Sequence, residues 1–398
     1  MTAGERVFLA LLLLVAGAAP FSIAISQTAL ALAALFGLAA WLRGRRPARL
    51  GLEAPLLLLL GWILLTLPLS TAPVESLLKL KRWLLLPAIW LAASAARGER
   101  ARLALLYAIV LGSAGVALYG IAQHFGWVSL AQRYGHGRIP LTTNPMTGGG
   151  LMMIAALVLV PFLGPKQTGR TRLLAALVLL PVLAALVFTE TRSCWLGLLA
   201  GLGLLVIYRR PRWTPLLVLI LAAGVMLGPS NYRARLFSVF GQGAAYRSNN
   251  ERVTQWKTAW EMVEDRPLTG LGDRDLREPY REYMQREGRE DDKVFGHLHS
   301  NPVMWIVLWG VPGLGLALIF LGSIPALQLR RLRTWRAGRL RAPPAAEAWA
   351  LSGLAAWTGF FVAGLFEWYF GDAEVILLLW TVTGVSLAPL EGDLHEAS

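Results

Sequence analysis

"LLAALVLLPVLAALVFT", residues 173–189, runs for 17 residues without a charge and stands between Arg172 and Glu190. A helix crossing the roughly 30 Å hydrocarbon core of a bilayer needs about 17–25 apolar residues, so the block is long enough to span. A barrel strand would alternate apolar and polar side chains. This block is apolar on every face and rich in Leu and Ala, which reads as a helix. Similar blocks fall at about 6–26, 27–42, 54–70, 83–96, 103–124, 146–163, 193–208, 213–228, 301–327, 346–366 and 371–388. With 56% hydrophobic and 16% charged residues in a chain of 398, the expectation is an all-α polytopic membrane protein of about twelve transmembrane helices.

The spacers between blocks set an orientation. Arg43 to Arg49, Arg97 to Arg102, Lys166 to Arg172, Arg209 to Arg212 and the run from Arg330 to Arg341 occupy alternate loops. The positive-inside rule assigns these loops, and both termini, to the cytoplasm. The formal charge of +14 and the pI near 10.5 are then mostly accounted for by topology, so nucleic acid is not expected as a partner. The opening "GERVFLALLLLVAGAAP", residues 4–20, has the look of a signal peptide, but a second span follows at once and it reads as a retained first span. A single cysteine, Cys194, excludes an internal disulfide.

Three regions result: 1–228 with spans one to nine, 229–300 as a large polar helical segment outside the cytoplasm, and 301–398 with spans ten to twelve and a tail. Residues 229–300 hold twelve Lys and Arg against twelve Asp and Glu, a neutral balance that can be translocated without breaking the charge rule. Within them "SNNERVTQWKTAWEMVEDRPLTGLG", residues 248–272, predicts a helix capped by Asn249 or Asn250 and stopped by Pro267 and Gly270. Val253, Trp256, Trp260 and Val263 recur at spacings of three and four, a stripe suited to the membrane interface or to capping the bundle. Gly197, Gly201 and Gly203 predict close helix packing.

Chemistry is expected at the outer face. His124, His136, His297 and His299 fall there, with only His395 in the tail, and His299 sits at the mouth of the tenth span. Cations stand there too, against the positive-inside rule: Lys79, Lys81 and Arg82 near the single acid Glu75, Arg192 beside Glu190, and Arg252 at the start of the interfacial helix. Each could snorkel to headgroups; several converging on one face suit a dianionic, pyrophosphate-like ligand. The apolar blocks are almost free of ionisable residues, which disfavours an ion-coupled transporter. Asp273 and Asp275 in "GDRDLRE" have the spacing of a divalent-cation site, but such a pair arises readily in so charged a segment, and no metal or cofactor is expected. "GVPGLG" from Gly310 lies inside an apolar run with no preceding strand, so it is not a nucleotide loop.

Three stretches resemble one family. "TETRSCWLGLLAGLGLL" (189–205), "ERVTQWKTAWEMVEDRPLTGLG" (251–272) and "HLHSNPVMWIVLWGVPGLG" (297–315) are similar to the Arg-bearing helix start, the Arg, Trp and Pro-x-x-Gly-x-Gly segment, and the His-plus-Gly-x-Pro-Gly helix of bacterial O-antigen ligases and their polymerase relatives. Counting back from Gly310 aligns His299, not His297, with the family's functional histidine. The chain departs from the pattern at Ser300, where the family often has Asn and this chain has Asn301 one residue later, and at Leu308, where an acid is common.

The resemblance implies transfer of a glycan from undecaprenyl pyrophosphate to a sugar hydroxyl of the lipid A core, at the periplasmic face of the inner membrane, without metal. His299 would be the general base, and Arg192 and Arg252 would bind the donor pyrophosphate. Lys81, Arg82 and Arg266 are further substrate-binding candidates. Glu367 or Asp372, in the outer turn "GLFEWYFGDAEV" (364–375), could orient the His299 ring.

Overall fold

The computed structural model describes residues 2–44, 47–129, 138–215, 219, 244–286, 288, 293–338 and 342–390. The expected span at 213–228, His136 and His395 lie wholly or mostly outside these residues. The described chain is all helical, with no strand. Its α-helices, numbered in chain order, are α1 (Ala3–Ala18), α2 (Ile23–Leu42), α3 (Glu53–Thr66), α4 (Pro73–Lys79), α5 (Pro87–Ala95), α6 (Glu99–His124), α7 (Pro145–Leu159), α8 (Gly169–Phe188), α9 (Arg192–Arg209), α10 (Ala244–Asp265), α11 (Arg277–Arg286), α12 (Asn301–Arg336), α13 (Pro344–Gly364) and α14 (Ala373–Ser386).

Among the described residues, six helices are long and apolar enough to cross a membrane: α2, α6, α7 with its 3-10 extension to Leu163, α8, α9 and α12. The other described blocks form shorter or more mixed elements. Residues 54–70 give a 14-residue helix and a 3-10 turn, Leu67–Leu69, and residues 83–96 divide between a 3-10 turn, Leu80–Leu85, and the nine-residue α5. Pro68 and Pro87 stand at these divisions, where a missing amide proton and a fixed φ favour a new start over continuation.

The centre of the bundle is α7, α13 and α14, which are buried along most of their length. α9 packs along α13 through small residues: a Cβ on Gly197 would lie 2.5 Å from Gly359 O, and one on Gly201 2.8 Å from Ala355 O. Such proximity gives apolar helices the van der Waals contact that holds them together in lipid. Gly203 differs from the expectation; nothing lies within 4 Å of its would-be Cβ.

Polar contacts divide the bundle into two ends. At one, Arg102 donates to Ala388 O and Pro389 O, Arg331 donates to Ala388 O, and Lys166 pairs with Glu347 at 2.6 Å. The opposite end carries the starts of α7, α9 and α12, the turn 365–372 and α10. Arg102, Lys166 and Arg331 thus stand at the end opposite His299 and Arg252.

α12 is two helices joined at a break. Gly310 has φ 71° and ψ −179°, and the segment after α10 fills the gap this opens. Val311 N donates to Pro267 O at 2.8 Å, Leu271 N to Val307 O at 2.8 Å, and Gly272 N to Leu308 O at 3.0 Å. A broken helix inside an apolar bundle leaves backbone groups that must find partners, and the 266–272 loop supplies them. The fit tolerates no side chain: a Cβ on Gly310 would fall 2.0 Å from Leu268 O, and one on Gly270 2.5 Å from the Leu308 carbonyl carbon. The "PLTGLG" and "GVPGLG" motifs are therefore two halves of one joint.

α10 begins at Ala244, upstream of the expected cap, and turns a different face inward. Gln255, Thr258, Ala259, Met262 and Val263 are buried, while Val253 and Trp260 are exposed. Of the apolar stripe, Val253 and Trp260 face outward, while Trp256 is half-buried and Val263 is buried.

Candidate active site

Ser300 caps α12, its Oγ accepting from Val303 N at 3.5 Å, and His299 precedes it with φ 46°. A left-handed conformation at a non-glycine residue costs of order 1–3 kcal/mol and persists only where surrounding contacts over-determine it. Those contacts are present. Trp256 Nε1 donates to Leu298 O at 3.1 Å, Leu276 N donates to Gly296 O at 3.2 Å, and Asn301 Oδ1 accepts from Phe370 N at 3.0 Å. The last bond ties the helix start to the turn 365–372, so the departure at Ser300 and Asn301 leaves an Asn that secures the turn.

That turn brings Glu367 to the histidine. His299 Nδ1 lies 2.8 Å from Glu367 Oε1, to which Trp368 N also donates at 3.1 Å. His297 Nε2 is 3.7 Å from the same oxygen, and Arg252 Nη2 is 3.8 Å from Glu367 Oε2, both beyond hydrogen-bond range. Burial pushes the Glu367 carboxyl up, but His297, His299 and the Arg252 guanidinium outweigh it and hold the carboxyl well below the usual carboxylate range. An ionised carboxylate only accepts, so Nδ1 is the donor in this pair and Nε2 is the basic nitrogen. Of the two acids considered from sequence, Glu367 makes this contact. Asp372 Oδ2 instead accepts from Thr147 Oγ1 at 2.8 Å, and burial, against that bond and helped by the charges of Glu367 and Glu374, pushes its carboxyl up to about 7.

Arg192 is the first residue of α9 and follows Glu190, another left-handed residue with φ 50°. The helix start is held to the Glu367 turn by the buried Tyr369 hydroxyl, 2.8 Å from Cys194 Sγ and 3.2 Å from Ser193 Oγ. Arg138, which the sequence reading passed over, clamps the same segment, its Nε donating to Thr189 O at 3.0 Å and Nη2 to Thr191 Oγ1 at 3.2 Å. Its signal is a further cation on the outer side, in "YGHGRIP", residues 134–140.

Arg82 stands on the other flank. Its guanidinium lies 5.7 Å over the Trp368 ring and pairs with the buried Asp273 at 3.0 Å. The turn 365–372 is thus the meeting point of His299, Arg252, the Arg192 helix start and Arg82. Arg266 has another placement: it is exposed and donates to Leu69 O at 3.0 Å, joining its loop to the end of α3. Lys81 is exposed.

One group could hold a metal among the described residues: a nitrogen each from His297 and His299 and a Glu367 oxygen lie within 4.8 Å of one another. Two imidazoles and a carboxylate are a zinc-type donor set, but binding through His299 Nδ1 would cost the bond to Glu367. Asp273 and Asp275 are engaged separately, Asp273 by Arg82 and Asp275 by Arg277 at 3.6 Å.

The described chain is thus an apolar multi-helix bundle with the chain properties of a multi-pass membrane protein, and at one end it brings His299, Glu367, Arg252 and Arg82 to a single turn. Residues 174–318 match the family described as Wzy_C, O-antigen ligase, and this match over about a third of the chain supports membership of the O-antigen ligase/polymerase superfamily. No curated protein matches the chain. The matched segment contains Arg192, Arg252, Arg266 and His299; Arg82 and Glu367 lie outside it.

Proposed function

We propose that the chain is an O-antigen ligase, transferring a glycan from undecaprenyl pyrophosphate to a sugar hydroxyl of the lipid A core at the periplasmic face of the inner membrane. The observation that carries the reading is the bond from His299 Nδ1 to Glu367, which leaves Nε2 available to accept a proton. In this account Nε2 takes the proton of the acceptor hydroxyl as its oxygen bonds to the anomeric carbon of the donor sugar. The bond from that carbon to the pyrophosphate breaks, and the pyrophosphate leaves with the electron pair. Arg192 and Arg252 stabilise the charge gathering on it, with Arg82 as a further contact, through the planar donor forks that suit phosphate. Energy comes from the lipid-pyrophosphate linkage, so the reaction requires no ATP, and in this reading arginines rather than a metal carry the charge of the leaving group. In this reading the chain crosses the membrane about twelve times, and the two lipid-anchored substrates meet at the end that carries His299.

The same donor serves a polymerase, which extends the lipid-linked glycan. The neutral, modest 229–300 segment favours the ligase. Purified protein in proteoliposomes, given lipid-linked glycan and lipid A core, should yield glycan on the core. Longer lipid-linked chains instead would make the protein a polymerase, and solute movement without either product would make it a transporter.

A further inference from the structure

α4 is amphipathic in the reverse sense of a helix packed on a protein core. Its polar side faces inward: Ser76 is 3% exposed and its Oγ lies 2.7 Å from Ser70 Oγ, while Glu75 Oε1 accepts from Asp275 N at 2.8 Å. Its apolar side faces out, with Val74, Leu77 and Leu78 exposed by 74%, 57% and 66%. Leu69 before the helix and Leu84 after it are exposed too, as are Leu57, Leu58, Leu64 and Leu65 of α3, which the 3-10 turn Leu67–Leu69 joins to α4. Lys79, 3.8 Å from Glu75, and the exposed Lys81 close the helix on its C-terminal side.

We propose that α4 is an in-plane membrane anchor, with Val74, Leu77 and Leu78 in the acyl region of the bilayer and Lys79 and Lys81 at lipid phosphates, and that it sets the depth of the site. Three observations identify the occupant as lipid. The polar side of α4 is already engaged by the protein, its apolar side is exposed like the Leu residues of the preceding α3, and Lys79 at its end and Lys81 just beyond match anionic headgroups in sign, reaching them by snorkelling.

The link to the site is direct. Ser70 Oγ and Thr71 Oγ1 both donate to Leu271 O, at 3.0 and 2.8 Å, in the loop that closes the Gly310 break. Arg82, three residues beyond Lys79, lies over Trp368 next to Glu367. A helix held at the headgroup boundary therefore fixes the depth of α12 and of His299 at its start relative to the headgroups. Lys81 is then a lipid contact rather than a substrate contact. The anchor rests on the reading of the chain as membrane-spanning and on the proposed reaction only for what the site does.

The test has no catalytic readout. Nitroxide labels at Val74→Cys, Leu77→Cys, Leu78→Cys and Lys81→Cys are measured in full-length protein, reconstituted in phosphatidylethanolamine/phosphatidylglycerol vesicles. Collision with oxygen, which partitions into hydrocarbon, is compared with collision with a nickel chelate, which stays in water. The parent chain, whose Cys194 is buried, gives the background. Labels at 74, 77 and 78 should favour oxygen and lie about 5–10 Å below the headgroups, with the label at 81 favouring nickel. Nickel dominance at 77 and 78 would overturn the anchor by placing the helix in water. Exclusion of both reagents would overturn it by showing a protein, such as a second copy of the chain, on that face. Loss of the glycosyl-transfer reading would leave these results unchanged.

Discussion

Glu367 Oε1 receives His299 Nδ1 at 2.8 Å across 68 residues of sequence, and the same turn carries Tyr369, whose hydroxyl meets the helix that Arg192 begins. One turn thereby sets both the tautomer of the proposed base and the register of a proposed phosphate ligand. Glu367→Gln keeps the size of the side chain but loses its charge, and its amide can present a donor to Nδ1 and reverse the tautomer. Turnover of the reconstituted variant should fall by up to the worth of a general base, about 100- to 10,000-fold, with an unchanged gel-filtration profile.

The joint between α12 and the 266–272 loop predicts a contrast between glycines. Gly310→Ala places a Cβ 2.0 Å from Leu268 O at a left-handed φ, and should lower thermal stability in detergent by more than the roughly 1–3 kcal/mol of backbone strain alone. Gly315→Ala, five residues on in the same helix, meets nothing within 4 Å and should be neutral or stabilising by up to about 1 kcal/mol.

Arg192 should discriminate fork from point charge. Arg192→Lys retains the cation at the first position of α9 but cannot donate in parallel to two phosphate oxygens. Donor KM should rise and turnover fall, with acceptor KM little changed. Wild-type kinetics in both Arg192→Lys and Arg192→Ala would return Arg192 to a headgroup contact.

Asp372 gives a pH dependence of stability. Its carboxyl, pushed up to about 7 in the folded protein from an ordinary value of 3.8, binds a proton more tightly folded than unfolded. Its contribution is therefore fully present below 3.8 and is lost as pH rises through about 7. Asp372→Asn, which keeps an acceptor for Thr147, should raise melting temperature at pH 8 and change it little at pH 4, as measured by thermal unfolding in detergent. An equal effect at both values would contradict the buried, proton-retaining carboxyl.

How far the sequence carries depends on the range of the contacts. The separation of Arg102, Lys166 and Arg331 from Arg82, Arg252 and His299 is readable because charge alternates over single loops. Glu367 could be narrowed only to two acids in one turn, since choosing between them requires knowing how that turn folds against a helix start 68 residues away. The break at Gly310 is hidden because hydropathy runs evenly through it; only the position of a second loop makes left-handed backbone necessary there. For α10, periodicity locates the apolar stripe, but only the fold divides it, leaving Val253 and Trp260 exposed while Trp256 bonds Leu298 O and Val263 is buried.

The central claim is that His299 is the base, and it is tested most directly by turnover of His299→Ala in proteoliposomes supplied with undecaprenyl-pyrophosphate-linked glycan and lipid A core, beside His297→Ala. His297 reaches the carboxylate only at 3.7 Å, whereas His299 is bonded to it at 2.8 Å. The account predicts a fall of about 100- to 10,000-fold for His299→Ala, with donor binding retained, and a much smaller effect for His297→Ala. Near-normal transfer by His299→Ala would contradict it.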